Sequence, residues 1–166
     1  MSLIQLEFGC GANPKRPGYK TCDIRDIPGI DFVCSAVDIA DHCAHNSVSH
    51  IFSRHMFEHL SFFDGKRHLD ACMQILVRGG EIELCLPNMD FHVQQWISQT
   101  PAQMDHARAG FWGWQREGEQ GEVWDIHKSG YNFTTLEALL IAHGFVNIRS
   151  LKKSTHKHLW LTASKP

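Results

Sequence analysis

His55-Met56-Phe57-Glu58-His59 sets two imidazoles and a carboxylate close together in the chain. The spacing H-x-x-E-H is the inverted zincin pattern. For such a pair to hold zinc, both rings must share a helix face, four residues apart, and a third ligand must come from elsewhere. The segment instead directly follows a run that reads as a buried strand, and the next helix signal starts only at Ser61. Zinc hydrolysis through His55 and His59 is therefore a remote alternative, and no metal is expected. Two other readings compete for the same side chains. In the local one, Glu58 caps or pairs nearby and His59 satisfies a backbone carbonyl. In the functional one, His55, His59 and His127 are candidate general bases and Glu58 faces a substrate. An imidazole that titrates near neutrality suits proton removal. His127 and Tyr131, in DIHKSGYNF, are placed to close such a site from the other side.

Composition bounds the class of molecule. The 166 residues are 43% hydrophobic and 20% charged, with a formal net charge of −2, which suits one globular domain. Nothing implies a basic face, so nucleic acid is not an expected partner. Lys152, Lys153 and Lys157 read as a solvated loop. No apolar run is long enough to span a bilayer, and the start, MSLIQLEFGCG, lacks the features of a signal peptide. The six cysteines show no CxxC pair and are expected to be reduced, with a cytoplasmic location.

The elements that must position these side chains follow from periodicity. Ile4, Leu6 and Phe8 alternate with Gln5 and Glu7 and end at Gly9-Cys10-Gly11, a strand followed by a tight turn. Further strands are expected over 19–24, 31–34 and 49–53. Ser61-Phe62-Phe63-Asp64 fits a capping box, and a helix follows with Phe62, Leu69, Cys72, Met73 and Leu76 at helical spacing. Phe62 and Phe63 are expected in the core, and Arg78-Gly79-Gly80 is expected to stop the helix. A fifth strand carries Ile82, Leu84 and Leu86 and ends at Pro87-Asn88. Residues 89–130 are less regular and read as an insertion or lid, with a helix opening at Pro101 and aromatic residues Phe111, Trp112, Trp114 and Trp124. Thr134 to Glu137 caps another helix, with Leu136, Leu139 and Leu140 on its apolar face. Strands over 145–149 and 158–163 close the chain. Strands alternating with crossovers predict an α/β, mainly parallel sheet with helices on both faces. Ligands in such sheets bind beyond the carboxyl ends of the strands, where Gly9, Asp23, Ser35, Ser53 and Asn88 all fall.

Gly9 and Gly11 read either as a tight turn or as a close backbone approach to a nucleotide or nucleoside. Asp23, at the end of the second strand, is placed to accept hydrogen bonds from ribose hydroxyls. The NAD fingerprint fails, because Pro14 stands where its third glycine belongs and the acid follows too soon. GANPKRPGYKT, with two prolines and no apolar period, does not form the usual crossover helix. A nucleoside ligand without phosphates fits better.

With these residues in place, the sequence resembles the class I S-adenosylmethionine-dependent methyltransferases, in the short variety where GCG…PGY…D replaces a full first crossover helix. Leu6 to Gly11 resembles the family's first motif, Ser53 to Leu60 its fourth-strand exit, Leu76 to Asn88 its turn and fifth strand, and Leu139 to Phe145 its entry to the last strands. The resemblance covers about residues 3–90 and 127–165. It implies a Rossmann-like sheet with an antiparallel last strand. The implied cofactor is S-adenosylmethionine, with S-adenosylhomocysteine as product. Glu7, Gly9, Cys10, Gly11, Asp23, Asp38, Ser53 and Arg54 would hold it, and Glu58, Asn88 and Tyr131 would face a small-molecule or glycan-type acceptor. Arg78 departs from the family's usual proline. Ser35 departs from an acid found near the adenine in many relatives, a task left to Asp38 or backbone groups. The alternative is a cofactor-binding relative that acts as a partner subunit without catalysis. Homodimer formation stays open.

Overall fold

A computed structural model describes residues 3–98, 100–115 and 125–166. Seven strands form one sheet in the order β3-β2-β1-β4-β5-β7-β6. They are β1 (Ile4–Phe8), β2 (Lys20–Asp23), β3 (Phe32–Val33), β4 (Val48–Arg54), β5 (Leu76–Pro87), β6 (Val146–Ser150) and β7 (His158–Ser164). β1 to β5 pair in parallel, and β7 runs antiparallel between β5 and β6. This is the expected class, a mainly parallel Rossmann-like sheet with an antiparallel last strand. The helices are α1 (Phe62–Ile75), α2 (Met89–Ile97), α3 (Pro101–Trp112) and α4 (Phe133–Ala142), with 3₁₀ turns at Ala36–Asp41 and Phe57–His59. No helix among the described residues is long and apolar enough to cross a membrane.

Alternation along the strands builds the core. Leu6 and Phe8, Ile51, Ile82, Leu84 and Leu86, and Leu159 and Leu161 are buried together with Leu69, Cys72 and Ile75 of α1 and Leu136 and Leu140 of α4. Each such side chain contributes about 1.5–3 kcal/mol through its removal from water. The intervening residues face the other way and meet the loop between β1 and β2. Glu7, buried, accepts from the backbone N–H groups of Lys15 and Arg16 at 2.8–2.9 Å. The Arg16 guanidinium lies over the Phe52 ring and pairs with Glu83 at 2.6 Å. A carboxylate and a guanidinium thus hold a loop where a crossover helix is missing.

Several local expectations change. Ser61 caps α1, its Oγ accepting from the Asp64 N–H, but Phe62 and Phe63 are 57% and 70% exposed because the buried stripe runs through His68, Leu69, Cys72 and Ile75. The helix ends at Ile75, and Leu76 already pairs with Val48. Arg78-Gly79-Gly80 therefore lies inside β5, where the register slips between Val48 and His50 and Gly79 takes a φ of 75°. α4 starts one turn's edge earlier than expected, with Asn132 and Thr135 forming the capping box. Residues 89–97, expected to be irregular, form α2, capped by Asn88 with Asp90 in the first turn. Trp124 and the rest of 116–124 lie outside the described residues.

Candidate functional site

Two cavities meet beyond the carboxyl ends of β1, β2 and β4. The first, about 390 Å³, is bounded by Gly9, Asp23, Ile24, Ala36 and Val37 on one side and by His55, Met56, His59 and Leu60 on the other. Its size falls in the range of small-molecule sites. Gly9 has a φ of 63°, and a Cβ there would stand 2.5 Å from the Cβ and Cγ of Met56. The position admits glycine alone on both counts. Gly11, with a φ of 54°, turns its N–H onto Asp23 Oδ2 at 2.8 Å. Asp23 is buried and also accepts from the Arg25 backbone N–H and guanidinium at 3.0 Å. Burial works to raise its carboxyl, but the hydrogen bonds from Arg25 and from Gly11 outweigh it and hold the group below the ordinary carboxylate range.

The second cavity, about 540 Å³, shares His55 and His59 with the first and adds Glu58, His92, His127 and His158. Glu58 sits at its base, 1% exposed. Its backbone carbonyl accepts from the N–H groups of Lys128 and Ser129, which ties the segment carrying His127 to the segment carrying His55. Glu58 Oε1 accepts from His55 Nδ1 at 3.0 Å and lies 4.0 Å from His127 Nε2, while Oε2 is buried with no hydrogen-bond partner among the described residues. A carbonyl oxygen can only accept, so two tautomers are fixed. His127 Nδ1 donates to Gly110 O at 2.9 Å, and His59 Nδ1 donates to Ile126 O at 3.2 Å. Both rings, when neutral, keep an Nε2 lone pair. Burial pulls the His127 imidazole below its usual value, against the opposing pull of Glu58. Burial and the nearby His55 bring His158 down to about 4. His55 adopts a φ of 51°, an uncommon conformation for a residue with a side chain. This bend separates it from the 3₁₀ turn that carries Glu58 and His59. His55 and His59 therefore do not share a helix face, and the zinc-hydrolase pairing is absent.

The candidate residues divide clearly. His55, His59, His127 and Glu58 converge, and Gly9 and Asp23 line the first cavity. Gly11 acts through Asp23, and Cys10 is half-buried, its thiol pushed up to about 11 by burial and the charges of Asp23 and Glu7. Glu7 is spent on the 15–16 backbone. Asp38 lies on the outer side of its turn, 3.7 Å from Arg67. Ser53 is buried in β4 beside Leu84, and Arg54 is exposed. Asn88 caps α2 and donates to Ser154 O and His156 O. Tyr131 packs between Phe57 and Phe62. Neither of the last two reaches the cavities, because both are consumed in holding β5, α2 and the 131 region together. Sequence reasoning missed Arg25, Ile24 and Val37 around the first cavity, and His92, His106 and His158 around the second. The signal for His92 was weak because α2 was not anticipated, while His106 and His158 fall on an expected helix and an expected strand with no local pattern that points to a site.

No family model matches the chain, and no curated protein matches it. Solved structures do. A methyltransferase dependent on S-adenosylmethionine from Archaeoglobus fulgidus superposes with a TM-score of 0.65 at 14% identity, covering 99% of this chain and 86% of that one. One from Methanosarcina mazei gives 0.63 at 15% identity, covering 99% and 92%. A possible histamine N-methyltransferase from Thermotoga maritima gives 0.65 at 12% identity, covering 98% and 82%. The chain has the class I S-adenosylmethionine-dependent methyltransferase fold.

Proposed function

We propose that the protein transfers a methyl group from S-adenosylmethionine to a small-molecule or glycan-type acceptor bearing an ionisable O–H or N–H. The observation that carries this reading is the junction of the two cavities at His55 and His59. A nucleoside site and a polar, histidine-lined site open onto the same two rings. The first cavity fits the adenosyl group. Gly9 leaves a cradle that a side chain would fill, Ile24, Ala36, Val37 and Leu60 provide apolar walls for a base, and Asp23 offers a carboxylate at the cavity's edge for ribose hydroxyls. When bound there, S-adenosylmethionine supplies a sulfonium-activated methyl group and leaves as S-adenosylhomocysteine.

The chain's own residues then have three tasks. Gly9 and Asp23 fix the donor, which converts an encounter into an oriented approach. The cluster around Glu58 receives the acceptor. His55 removes the acceptor's proton, because Glu58 holds its Nδ1–H and leaves Nε2 as the basic atom. The compartment of action is proposed to be the cytoplasm. The α2–α3 pair with Trp114, whose ring borders the second cavity, is proposed as its cover, and the whole chain as one domain.

Melting curves with S-adenosylmethionine, S-adenosylhomocysteine and NAD test the reading, since a ligand of the native state raises the melting temperature. An upward shift with both adenosyl compounds and none with NAD is expected. No shift with either adenosyl compound at millimolar concentration overturns it. One observation favours a second reading, that of a non-catalytic partner subunit: Arg25 and Gly11 already occupy the Asp23 oxygens. Adenosyl binding without methyl transfer across a panel of hydroxyl and amine acceptors would support that role.

A further inference from the structure

The geometry points to a divalent transition-metal site formed by Glu58, His59 and His127 in the wall of the second cavity. One ligand atom from each residue lies within 4.8 Å of the other two. Around a zinc-type ion with bonds of about 2.1 Å, tetrahedral ligands stand roughly 3.4 Å apart. The side chains need to close by at most about 1.4 Å.

Three independent features prepare these residues for an ion. The Nδ1–H of His59 is donated to Ile126 O and that of His127 to Gly110 O. Such a bond to a carbonyl is the usual companion of a metal-ligating imidazole, because it fixes the ring and directs the other nitrogen inward. Glu58 is buried, yet its Oε2 has no hydrogen-bond partner among the described residues. A buried, unsatisfied carboxylate oxygen is costly, and coordination would remove that cost. Oε1 lies 3.0 Å from His55 Nδ1 and 4.0 Å from His127 Nε2, so the proposed base and the proposed ion share one carboxylate. Two imidazoles and one carboxylate form the ligand set of catalytic zinc and of non-haem iron(II), each of which keeps open positions for substrate. Two nitrogen ligands disfavour magnesium. A neighbouring trio, His55, Cys85 and His158, is less suited. Burial pushes the Cys85 thiol up to about 11, whereas a cysteine ligates a metal as the thiolate.

The site's role rests on the reading above. An ion at this position would bind the acceptor oxygen and lower its pKa, and that oxygen's proton would pass to His55. The ion's presence does not depend on that reading.

Titration calorimetry with ZnCl₂ and visible spectroscopy with CoCl₂ test it on the full chain, with MgCl₂ as the contrast. One cobalt ion per chain is expected, with d–d bands. His59→Ala, at a partly exposed position, and His127→Ala should each weaken binding at least about tenfold, and Cys85→Ser should leave it unchanged. Glu58→Gln should do the same as the histidine variants if it folds, and His59→Ala decides the matter if it does not. Absence of cobalt bands in the wild type, unchanged binding in His59→Ala, or loss of binding in Cys85→Ser overturns the site. Binding of S-adenosylhomocysteine, measured on the same samples, separates the two claims. An adenosyl complex without metal binding sinks only the metal site, and metal binding without an adenosyl complex sinks only the methyl-transfer reading.

Discussion

At the scale of single residues, Asp23 has the most specific role. Its carboxylate is held ionised by Arg25 and Gly11 and stands at the edge of the first cavity, the proposed adenosyl site. Hydrogen bonds to a charged group are worth about 1.5–3 kcal/mol. Asp23→Asn should therefore weaken S-adenosylhomocysteine binding roughly tenfold to a hundredfold, read by calorimetry rather than by melting temperature because the same oxygens also fix the glycine turn. An unchanged dissociation constant would remove its assigned role. Gly9→Ala should be worse, since the new Cβ meets Met56 and the backbone must hold a positive φ. The expected result is lost adenosyl binding together with a lower melting temperature, and wild-type affinity in this variant would show that the turn does not approach the ligand. The sequence made Gly9 and Asp23 legible because Gly9 follows directly on a strand that alternation identifies and Asp23 falls at the end of the next strand. It set Glu7 and Ser53 toward the cofactor as well, but alternation turns Glu7 away from the face that Phe8 presents, and Ser53, although on that face, is buried and does not line the cavity. Glu7 falls on the loop side and Ser53 among Leu84 and Phe8, and only the pairing register tells the two faces apart.

At the scale of elements, caps were more legible than interiors. Ser61 announces α1 through chemistry confined to four residues, and the structure puts its Oγ on the Asp64 N–H. Ser61→Ala should cost about 1 kcal/mol, checked by the urea midpoint, and an unaltered midpoint would mean that the cap is idle. α2 escaped notice because its cap, Asn88, also reads as the end of β5, and because its apolar stripe is interrupted by His92. That ring is buried against α3, where Gly110 lets the helices approach so closely that any Cβ would overlap the imidazole. The contact depends on residues 18 positions apart, beyond any local period. Gly110→Ala should thus force the pair apart and cost about 1–3 kcal/mol. S-adenosylhomocysteine affinity should survive, since the first cavity lies elsewhere. A midpoint equal to the wild type would refute the packing, and a large loss of affinity would show that α2–α3 supports the donor side as well.

For the molecule as a whole, the mainly parallel sheet with its antiparallel last strand was foreseeable from the succession of elements and the family resemblance, whereas the full histidine cavity was not, because its walls come from β4's exit, α2, α3, the 127 region and the start of β7. Gathering and burying so many imidazoles has a consequence for stability. His68, fully buried between Phe8 and Cys72, donates from Nδ1 to Ala36 O, so α1 holds the turn that walls the first cavity. Burial brings its imidazole down to about 4, as burial also does for His92 and His158. The unfolded chain protonates near pH 6.5, so between pH 6.5 and 4 the unfolded state binds the extra proton and stability falls with pH. At about 1.4 kcal/mol per pH unit, His68 alone removes about 3 kcal/mol across that window. The part-exposed His92 and His158 add to the slope by an amount that solvent reduces. The depressed carboxyls of Asp23 and Asp31 act in a different window, because their contribution is lost only below the ordinary carboxylate range. Urea unfolding at pH 7 and pH 5 distinguishes the two. The wild type should lose about 2 kcal/mol or more over that interval, and His68→Gln, although less stable at pH 7, should lose distinctly less. A wild-type stability that is flat from pH 7 to pH 5 would mean that these histidines reach protons without unfolding, and that the core around Phe8 and the wall of the first cavity opens readily in the native state.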